Sequence, residues 1–405
     1  MRDTFTLHKH RALISATLVF IVLFFILLPK VFRVHYALEE ASPLSSFVSA
    51  SENPPKVFVP SYVATPDNVK GIYMTSWIAS SEKLRAPLVK FIDDTELNSL
   101  VIDIKDYSGK IVFSVASDEL KAYGSEEVRI KDLPEFIESL HKKGVYVIGR
   151  IAVFQDAYFV KYRPDLAVKN GSGTAVWKDK KGISWIDPGS REYWDYIILL
   201  GKESRKIGFD EINFDYIRFP SDGNMQDISY PWSTTTPKAL ILKEFFSYLH
   251  DGLQGSGLKI SADLFGMVTT AQNDMGIGQL LENALPYFDY ISPMVYPSHY
   301  PPTFMNFKNP EEHPYEVVHF AMQSAVERAD KLDIATSTSP NPVVEPAVHY
   351  RAKLRPWLQD FGLRKTYGSA EIKAQIRAVN EAGLSSWLLW SPSNVYTKEA
   401  LSAEE

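Results

Sequence analysis

The sequence predicts an α/β fold, namely a (β/α)8 TIM barrel that is preceded by an N-terminal transmembrane signal anchor and a flexible linker. Eight short apolar runs alternate with helical patterns between residues 71 and 393, which is the order of elements in such a barrel. Several runs end in a charged residue just past their apolar stretch, at the end where the active sites of these barrels lie. A doubly wound open sheet is the alternative, but it normally has a glycine-rich phosphate turn, and the sequence contains no G-x-G-x-x-G.

The predicted strands are short apolar runs that lie between turn signals and helical segments. The fourth, EINFDYIRF, alternates: its Ile, Phe and Tyr side chains share one face, and its Asn and Asp side chains share the other. The seventh has the least regular pattern, and residues 334–340 are an alternative to it. In chain order, the predicted strands are residues 71–77, 99–105, 145–154, 211–219, 259–268, 289–297, 353–361 and 385–393.

Between the strands, apolar residues recur every three or four positions, which is the period of a helix with one buried face. Glycine directly follows several of these patterns, as is common at helix ends. Residues 156–188 are a long insertion whose turn signals, NGSGT and KDKKG, predict a small hairpin. In chain order, the predicted helices are residues 86–94, 133–144, 191–208, 237–253, 277–288, 315–332 and 370–383.

The N-terminal segment predicts where the protein is located. Residues 12–28 are apolar except for Ser15 and Thr17, and basic residues precede them. This run exceeds the signal-peptide core of about 7–15 residues and reaches the short end of a membrane span of about 17–25 residues. We therefore expect an uncleaved single-pass anchor in the cell membrane and a domain outside the cytoplasm; a cleaved signal peptide, giving a secreted protein, is the alternative. The predicted parts are a cytoplasmic N-terminus (1–11), a transmembrane anchor (12–29), a linker (30–66) and the barrel domain (67–400).

Composition excludes several classes of function. The 405 residues carry a net charge of −6 and no stripe of basic residues, which argues against a nucleic-acid partner. There is no cysteine, so disulfides, thiolate nucleophiles and Cys-ligated metals are excluded. His299 and His313 lie in a loop without H-E-x-x-H or H-x-H spacing, and no G-x-S-x-G occurs, so we expect neither a zinc site nor a serine hydrolase. We expect no cofactor and no metal.

Three predicted strands carry an acidic side chain toward their C-terminal ends: Asp103, Asp215 and Asp263. A carboxylate that faces the inside of a barrel is costly to desolvate, so its presence points to function. Each acid also has a structural alternative. Asp215 would brace the mouth through a buried arginine, and Asp263 would cap the following turn. Asp103 would form an ion pair with Lys105, which the strand period places on the same face.

Other side chains near the same strand ends are candidates for substrate binding. Arg150 lies within strand three and requires an acidic partner, whose pKa it would lower. Asn213 shares the predicted inward face of Asp215, and Arg218 follows shortly after it. The aromatic candidates, each either a core residue or a platform for a sugar ring, are Trp77, Tyr296 and Trp390.

Six motifs point to a known family: GIYMTSW, VIDIKD, INFDYIRFP, SADLFG, DYISPMVYPSHY and WLLWSPSNVYT. Through them, residues 68–398 resemble a bacterial family of putative glycosyl hydrolase domains. The resemblance implies a (β/α)8 barrel related to other glycoside-hydrolase barrels. In one such group the strand-four aspartate is the nucleophile and a strand-five acid is the proton donor, which implies these roles for Asp215 and Asp263. That donor is usually a glutamate, so the shorter Asp263 departs from the pattern.

The sequence therefore predicts a membrane-anchored glycoside hydrolase outside the cytoplasm that cleaves a polysaccharide or oligosaccharide with a pair of carboxylates. Two alternatives stay open. A non-catalytic carbohydrate-binding or cell-envelope protein on a degenerate barrel would keep the aromatic platforms and lack a well-spaced acid pair. A metal-dependent lyase or deacetylase would bind a divalent ion through Asp103 and Asp215. The predicted catalytic pair is Asp215 and Asp263, and the predicted substrate-binding residues are Trp77, Asp103, Lys105, Arg150, Asn213, Arg218, Tyr296 and Trp390.

Overall fold

The structure is a computed structural model that describes residues 58–337 and 349–403. Eight parallel strands close into a barrel in the order in which they follow one another along the chain, which confirms the predicted (β/α)8 architecture. β1 closes the ring by pairing with β8 as well as with β2. The strands are β1 (Lys70–Met74), β2 (Ser99–Lys105), β3 (Tyr146–Ala152), β4 (Glu211–Asp215), β5 (Lys259–Phe265), β6 (Tyr290–Met294), β7 (Trp357–Gln359) and β8 (Trp387–Trp390).

Helices surround the barrel and bury one face against it. In the helix before β3, for example, residues 133, 136, 137 and 140 are buried, which is the spacing of three and four that the sequence predicts. The α-helices are α1 (Ser76–Ala79), α2 (Glu82–Asp93), α3 (Asp118–Ala122), α4 (Leu133–His141), α5 (Ala157–Tyr162), α6 (Arg191–Lys206), α7 (Lys238–Leu253), α8 (Leu281–Ala284), α9 (Pro314–Ser337) and α10 (Ser369–Glu381). Short 3₁₀ helices cover Pro164–Leu166, Gly266–Thr269, Pro297–His299, Phe304–Asn306, Pro310–Glu312, Tyr350–Lys353 and Lys398–Ala400.

Two predicted elements differ from the structure. The helix predicted at residues 277–288 is reduced to α8, because Gly278 adopts a φ of 83° before it and Pro286 follows shortly after it. Residues 334–337, which begin the alternative seventh strand, are the end of α9 instead. The rest of that alternative, residues 338–340, lies outside the described residues. The seventh strand therefore comes from the preferred segment, of which three residues pair in the sheet.

The insertion after β3, residues 156–188, begins with α5 and continues as short antiparallel bridges. These bridges pair Lys169 with Val176 and Lys178 with Ser184, as the turn signals predict. The insertion then returns to the barrel, where the buried Trp185 forms an antiparallel bridge with Gln155. One wall of the C-terminal end of the barrel is thus built by the insertion.

A buried ion pair lies at the N-terminal end of the barrel. Glu211 begins β4, and strand alternation places it on the same inward face as Asn213 and Asp215. Arg355 donates to both carboxylate oxygens of Glu211, with the Nη1–Oε2 distance at 3.2 Å, and Tyr146 donates its hydroxyl to Oε2 at 3.1 Å. Because these side chains are fully or almost fully buried, they form a structural floor beneath the mouth. Removing one partner of such a pair typically destabilises a protein by about 3–5 kcal/mol.

The segment before β1 contacts the barrel. Ser61 Oγ lies 3.0 Å from His141 Nδ1, and His141 Nε2 lies 2.9 Å from Asp210 Oδ2. The Val63 amide donates to Asp210 Oδ1 at 2.8 Å. Ser61 and Val63, near the end of the predicted linker of residues 30–66, are therefore hydrogen-bonded to the barrel domain.

The predicted cytoplasmic N-terminus, the transmembrane anchor and most of the linker lie outside the described residues. Within residues 58–337 and 349–403, no helix is both long enough and apolar enough to cross a membrane. The anchor at residues 12–29 therefore stays a prediction.

Candidate active site

The C-terminal ends of β2 to β5 bring three carboxylates and one guanidinium together. The strand registers place Asp103 beside Arg150, and Arg150 beside Asn213. Arg150 donates from Nη1 to Asp103 Oδ1 at 2.6 Å and from Nη2 to Asp215 Oδ2, and its Nε lies 3.8 Å from Asp263 Oδ2. The predicted convergence of these side chains at one mouth is therefore confirmed, while their catalytic and binding roles stay predictions.

Asp263 is the most deeply buried of the three acids, with 2% of its surface exposed. Its Oδ1 accepts hydrogen bonds from Asn213 Nδ2 and Trp357 Nε1, both at 2.8 Å. Burial, followed by the charge of Asp215, raises the pKa of Asp263 to about 8, against the opposing effects of Arg150 and the two hydrogen bonds. The carboxyl group therefore retains its proton to a higher pH than an ordinary aspartate does.

Asp215 lies at the end of β4 in a different environment. Its Oδ2 is paired with Arg150, and its Oδ1 accepts the backbone amide of Tyr216 at 2.5 Å. Tyr216 has a φ of 53°, a left-handed conformation that disfavours a non-glycine residue by about 1–2 kcal/mol. This turn out of the strand directs the amide at the carboxylate. The Asp215 carboxyl group is thus held between a cation and a backbone donor.

Asp103 is held by Tyr73 from β1 and by Arg150 from β3. The Tyr73 hydroxyl donates to Asp103 Oδ2, and the guanidinium occupies Oδ1. Burial raises the pKa of Asp103, and Arg150 opposes this effect. Burial, followed by the charge of Asp103, raises the pKa of Tyr73 well above its ordinary value, so the phenol stays a donor. All oxygens of this pair are engaged within the protein.

Aromatic side chains from the ends of β6 to β8 line the other side of the mouth. Tyr296 and Trp390 stack with ring centroids 5.1 Å apart and an angle of 25° between the rings. Phe361 meets both rings edge-on, at 5.9 Å and 5.2 Å. Tyr296 is buried, whereas Trp390 is partly exposed. Trp390 is therefore the ring that a ligand can reach, and Tyr296 supports it from behind.

Lys105 does not lie in the mouth, which corrects the prediction that it shares the face of Asp103. The register between β2 and β3 shifts between these two residues, as at a β-bulge. A bulge inserts one residue and reverses the face of those that follow. Lys105 Nζ is consequently buried against Ala152 O at 2.6 Å, Asp156 Oδ2 at 2.8 Å and Tyr193 Oη of α6 at 3.1 Å. Fully enclosed, it is a structural cation and not a substrate ligand.

Two other predicted residues lie at the periphery of the mouth. Trp77 is in α1, directly after β1, with 61% of its surface exposed, and the Arg129 guanidinium lies 4.5 Å from its ring centroid. Arg218 lies in the segment after β4, with its guanidinium against aromatic rings that include Trp185. Both predicted residues are thus on the C-terminal side of the barrel, but neither contacts the three acids directly.

The sequence reasoning missed two side chains that hold the acids. Tyr73 binds Asp103 from β1, and Trp357 binds Asp263 from β7, two strands away from β5. The alternation of side chains along β1 could have predicted that Tyr73 faces the inside of the barrel, on the same face as Gly71. Trp357 had no such signal, because its strand contains only three residues.

A divalent ion between Asp103 and Asp215 is not compatible with this arrangement. The Arg150 guanidinium occupies the space between the two carboxylates and forms ion pairs with both. Among the described residues, no group of three or more acidic or histidine side chains is arranged to hold a metal ion. The residues present therefore do not fit the metal-dependent alternative.

Comparison with known families and structures is consistent with this geometry. Residues 71–396 match the family model described as putative glycosyl hydrolase domain. No curated protein is similar enough to the chain to count as a match. The glycoside hydrolase domain of PgaB (BpsB) from Bordetella bronchiseptica is 11% identical with a TM-score of 0.53, and the alignment covers 84% of this chain and 100% of that domain.

Two further solved structures are similar. Alpha-L-fucosidase isoenzyme 2 from Paenibacillus thiaminolyticus is 11% identical with a TM-score of 0.51, over 80% of this chain and 46% of that one. A hypothetical protein from Ruminiclostridium thermocellum is 31% identical with a TM-score of 0.43, over 47% of this chain and 96% of that one. At 11% identity, the likeness to the two hydrolases shows a common fold.

Proposed function

We propose that this chain, which belongs to the putative glycosyl hydrolase domain family, hydrolyses glycosidic bonds in a polysaccharide or oligosaccharide with Asp215 and Asp263. The observation that carries the proposal is the contrast between these two carboxyl groups. They come from neighbouring strands and lie against one guanidinium, yet Arg150 pairs closely with Asp215, whereas it stays 3.8 Å from Asp263, whose pKa burial raises to about 8. Two carboxyl groups with separate protonation states are what glycoside hydrolysis requires.

In this mechanism Asp263 is the general acid. Its Oδ1 accepts two hydrogen bonds, so the proton resides on Oδ2, on the side of Arg150. From there it is transferred to the glycosidic oxygen as the bond to the leaving sugar breaks. By excluding water from the carboxyl group, the protein keeps it in the proton-carrying form until the substrate is bound, since burial disfavours its charged form.

Asp215 is the nucleophile or the base. Its position at the end of β4 presents a carboxyl group whose orientation is set by Arg150 and by the Tyr216 amide. Because both carboxyl groups contact the same guanidinium, we favour the short separation of retaining enzymes, about 5–5.5 Å, over the about 6.5–9.5 Å of inverting ones. Asp215 would then form a bond to the anomeric carbon, and water would release the sugar with Asp263 acting as the base.

The aromatic side of the mouth would bind the sugar rings. The C–H faces of sugars pack on aromatic rings, and Trp390 presents a partly exposed ring that Tyr296 supports. Trp77, far more exposed, lies farther out along the same end of the barrel and would bind a more distant sugar. Two platforms at different depths suit a chain substrate better than a single sugar.

The test is the turnover of carboxamide variants on a panel of polysaccharides and oligosaccharides. Asp263→Asn should reduce turnover by about 10²–10⁴-fold, the range for loss of general acid–base catalysis, and Asp215→Asn by at least as much. Asp360→Asn is the matched control, because Asp360 is also buried and follows β7 but accepts its hydrogen bonds from Thr397. Azide added to Asp215→Gly should give a glycosyl azide if Asp215 is the nucleophile.

One observation favours the alternative of a non-catalytic carbohydrate-binding protein. Arg150 satisfies Asp103 and Asp215 together without any ligand, as a brace of the mouth would. This alternative predicts that wild type binds glycans of the panel without cleaving them. Unchanged turnover in Asp215→Asn on a cleaved glycan would instead show that the brace is the true role of Asp215 and that the acid pair lies elsewhere.

The proposal includes location at the outer face of the cell membrane. It rests on the apolar segment at residues 12–28 and the basic residues before it. The full chain should fractionate with membranes, and deletion of residues 1–40 should release a soluble domain. Recovery of the full chain in a soluble, processed form would support the cleaved signal peptide instead.

A further inference from the structure

Arg218 lies in a cage of aromatic rings beside the candidate catalytic pair. Its guanidinium carbon is 4.8 Å from the ring centroid of Trp185, 4.6 Å from that of Phe265 and 5.5 Å from that of Tyr216. These rings come from the insertion after β3, from the end of β5 and from the residue that follows Asp215. The cage therefore stands on the rim of the mouth, directly above the strands that carry the proposed nucleophile and acid.

No carboxylate neutralises this guanidinium. Arg218 is 8% exposed, and its Nη1 donates to Phe219 O at 3.0 Å and Ser221 Oγ at 3.2 Å. Within the described ranges, its Nε and Nη2 donate no hydrogen bond and no acid lies within ion-pair distance. Arg85 and Arg355, the other buried arginines of the described residues, each form an ion pair with a carboxylate. Arg218 is thus an exception to the rule that buried charges are paired.

The cage is open on the side of the mouth. Tyr216 and Phe265 are partly exposed, and Ser221, which accepts a hydrogen bond from the guanidinium, is exposed. A ligand can therefore reach the unoccupied edge of the guanidinium, formed by Nε and Nη2. Burial lowers the pKa of Arg218 against the opposing effects of more distant acids, which agrees with a cation that lacks a close counter-charge.

We propose that Arg218 binds an anionic group on the substrate, a sugar carboxylate or a sulfate ester, next to the bond that is cleaved. The planar edge of a guanidinium donates two parallel hydrogen bonds, a geometry that matches the paired oxygens of such groups. The caging rings would contact the C–H faces of the same sugar. The location of the cleaved bond rests on the proposed function, whereas binding of the anion does not.

The experiment is calorimetric titration of the full chain with tetrasaccharides that contain uronic acids in several linkages. The comparison ligands are the same tetrasaccharides with methyl-esterified carboxyl groups, together with sulfated and neutral ones. Wild type should bind an acidic form at least about tenfold more tightly than its ester, since hydrogen bonds to charged groups contribute about 1.5–3 kcal/mol. Arg218→Gln should abolish this difference, and Arg218→Lys should retain only part of it.

Arg377→Gln is the control, because this guanidinium also lies over an aromatic ring, Tyr315 at 4.6 Å, but on the outer helix α10. It should leave the preference unchanged. Thermal unfolding of the Arg218 variants checks that the cage survives. A preference for uronates assigns the anion as a carboxylate, and a preference for sulfated sugars assigns it as a sulfate ester.

Two outcomes overturn the inference: equal binding of acidic, sulfated and neutral forms by wild type, or a preference that persists in Arg218→Gln. Failure of the proposed function gives a different result. In that case wild type binds the anionic tetrasaccharides in an Arg218-dependent manner but cleaves none of them. Conversely, cleavage of acidic glycans and of their neutral esters at equal rates, by wild type and by Arg218→Gln alike, would retain the hydrolase and reject the anion site.

Discussion

Replacing Asp263 by asparagine should stabilise the barrel as the pH rises, even though it removes a proposed catalytic group. In the folded protein this carboxyl group is buried beside Asp215, and both effects disfavour its charged form. In the unfolded chain it ionises freely. The variant Asp263→Asn keeps a side chain of the same shape that can accept the hydrogen bonds of Asn213 and Trp357, but it has no proton to lose.

The magnitude follows from linkage between protonation and folding. The pKa of Asp263 rises from the ordinary 3.8 to about 8 in the folded state. Its contribution to stability is therefore fully present below about pH 4 and is lost as the pH rises to about 8. One pKa unit corresponds to about 1.4 kcal/mol, so the whole range corresponds to about 6 kcal/mol. Relative to wild type, the variant should gain on the order of 3–6 kcal/mol between pH 4 and pH 8.

The assay is urea unfolding of both proteins at several values of pH between 4 and 9. Asp132→Asn is a control whose stability should change with pH in the opposite direction. Hydrogen bonding to Arg85 lowers the pKa of Asp132, so this variant should be less stable than wild type above about pH 4. A difference between Asp263→Asn and wild type that does not change with pH would refute the reasoning. It would mean that the carboxyl group is ionised in the folded state and cannot be the general acid at neutral pH.

Three further predictions concern the mouth, the floor and the segment before β1. Turnover on a cleaved glycan should fall above about pH 8, as the Asp263 carboxyl loses its proton, and a profile without this alkaline limb would contradict the assignment of the acid. Arg355→Met should lower the free energy of unfolding by about 3–5 kcal/mol, because it leaves Glu211 buried without its cation. The KM for the same glycan should stay unchanged. A change in KM without a change in stability would place this ion pair in the substrate site. Deletion of residues 1–58 should leave the midpoint of urea unfolding unchanged. Deletion of residues 1–66 should lower this midpoint, because the hydrogen bonds of Ser61 and Val63 are lost. Equal midpoints for the two deletions would show that these hydrogen bonds do not stabilise the fold.

The fold and the convergence of the acids were accessible from the sequence because both depend on short-range periodicity. Alternating apolar runs and helices specify the order of elements, and parallel strands then have one common C-terminal edge. Strand parity alone places Asn213 and Asp215 inward and Asp263 beside them. The same rule failed for Lys105, because a single shift of register after Asp103 reverses the face, and no residue in the strand marks that shift.

The sequence by itself determined that Asp103, Arg150, Asp215 and Asp263 lie on neighbouring strands and face the same mouth. Only the tertiary structure decided which of these groups pair with one another and how their pKa values shift. The pairing of Arg150 with two acids and the protonation of Asp263 depend on distances between strands and on the exclusion of water. The same holds for the contact of Asp263 in β5 with Trp357 in β7. Charge interactions and desolvation depend on distances in space and on burial. Neither can be read from the order of residues before the barrel is formed.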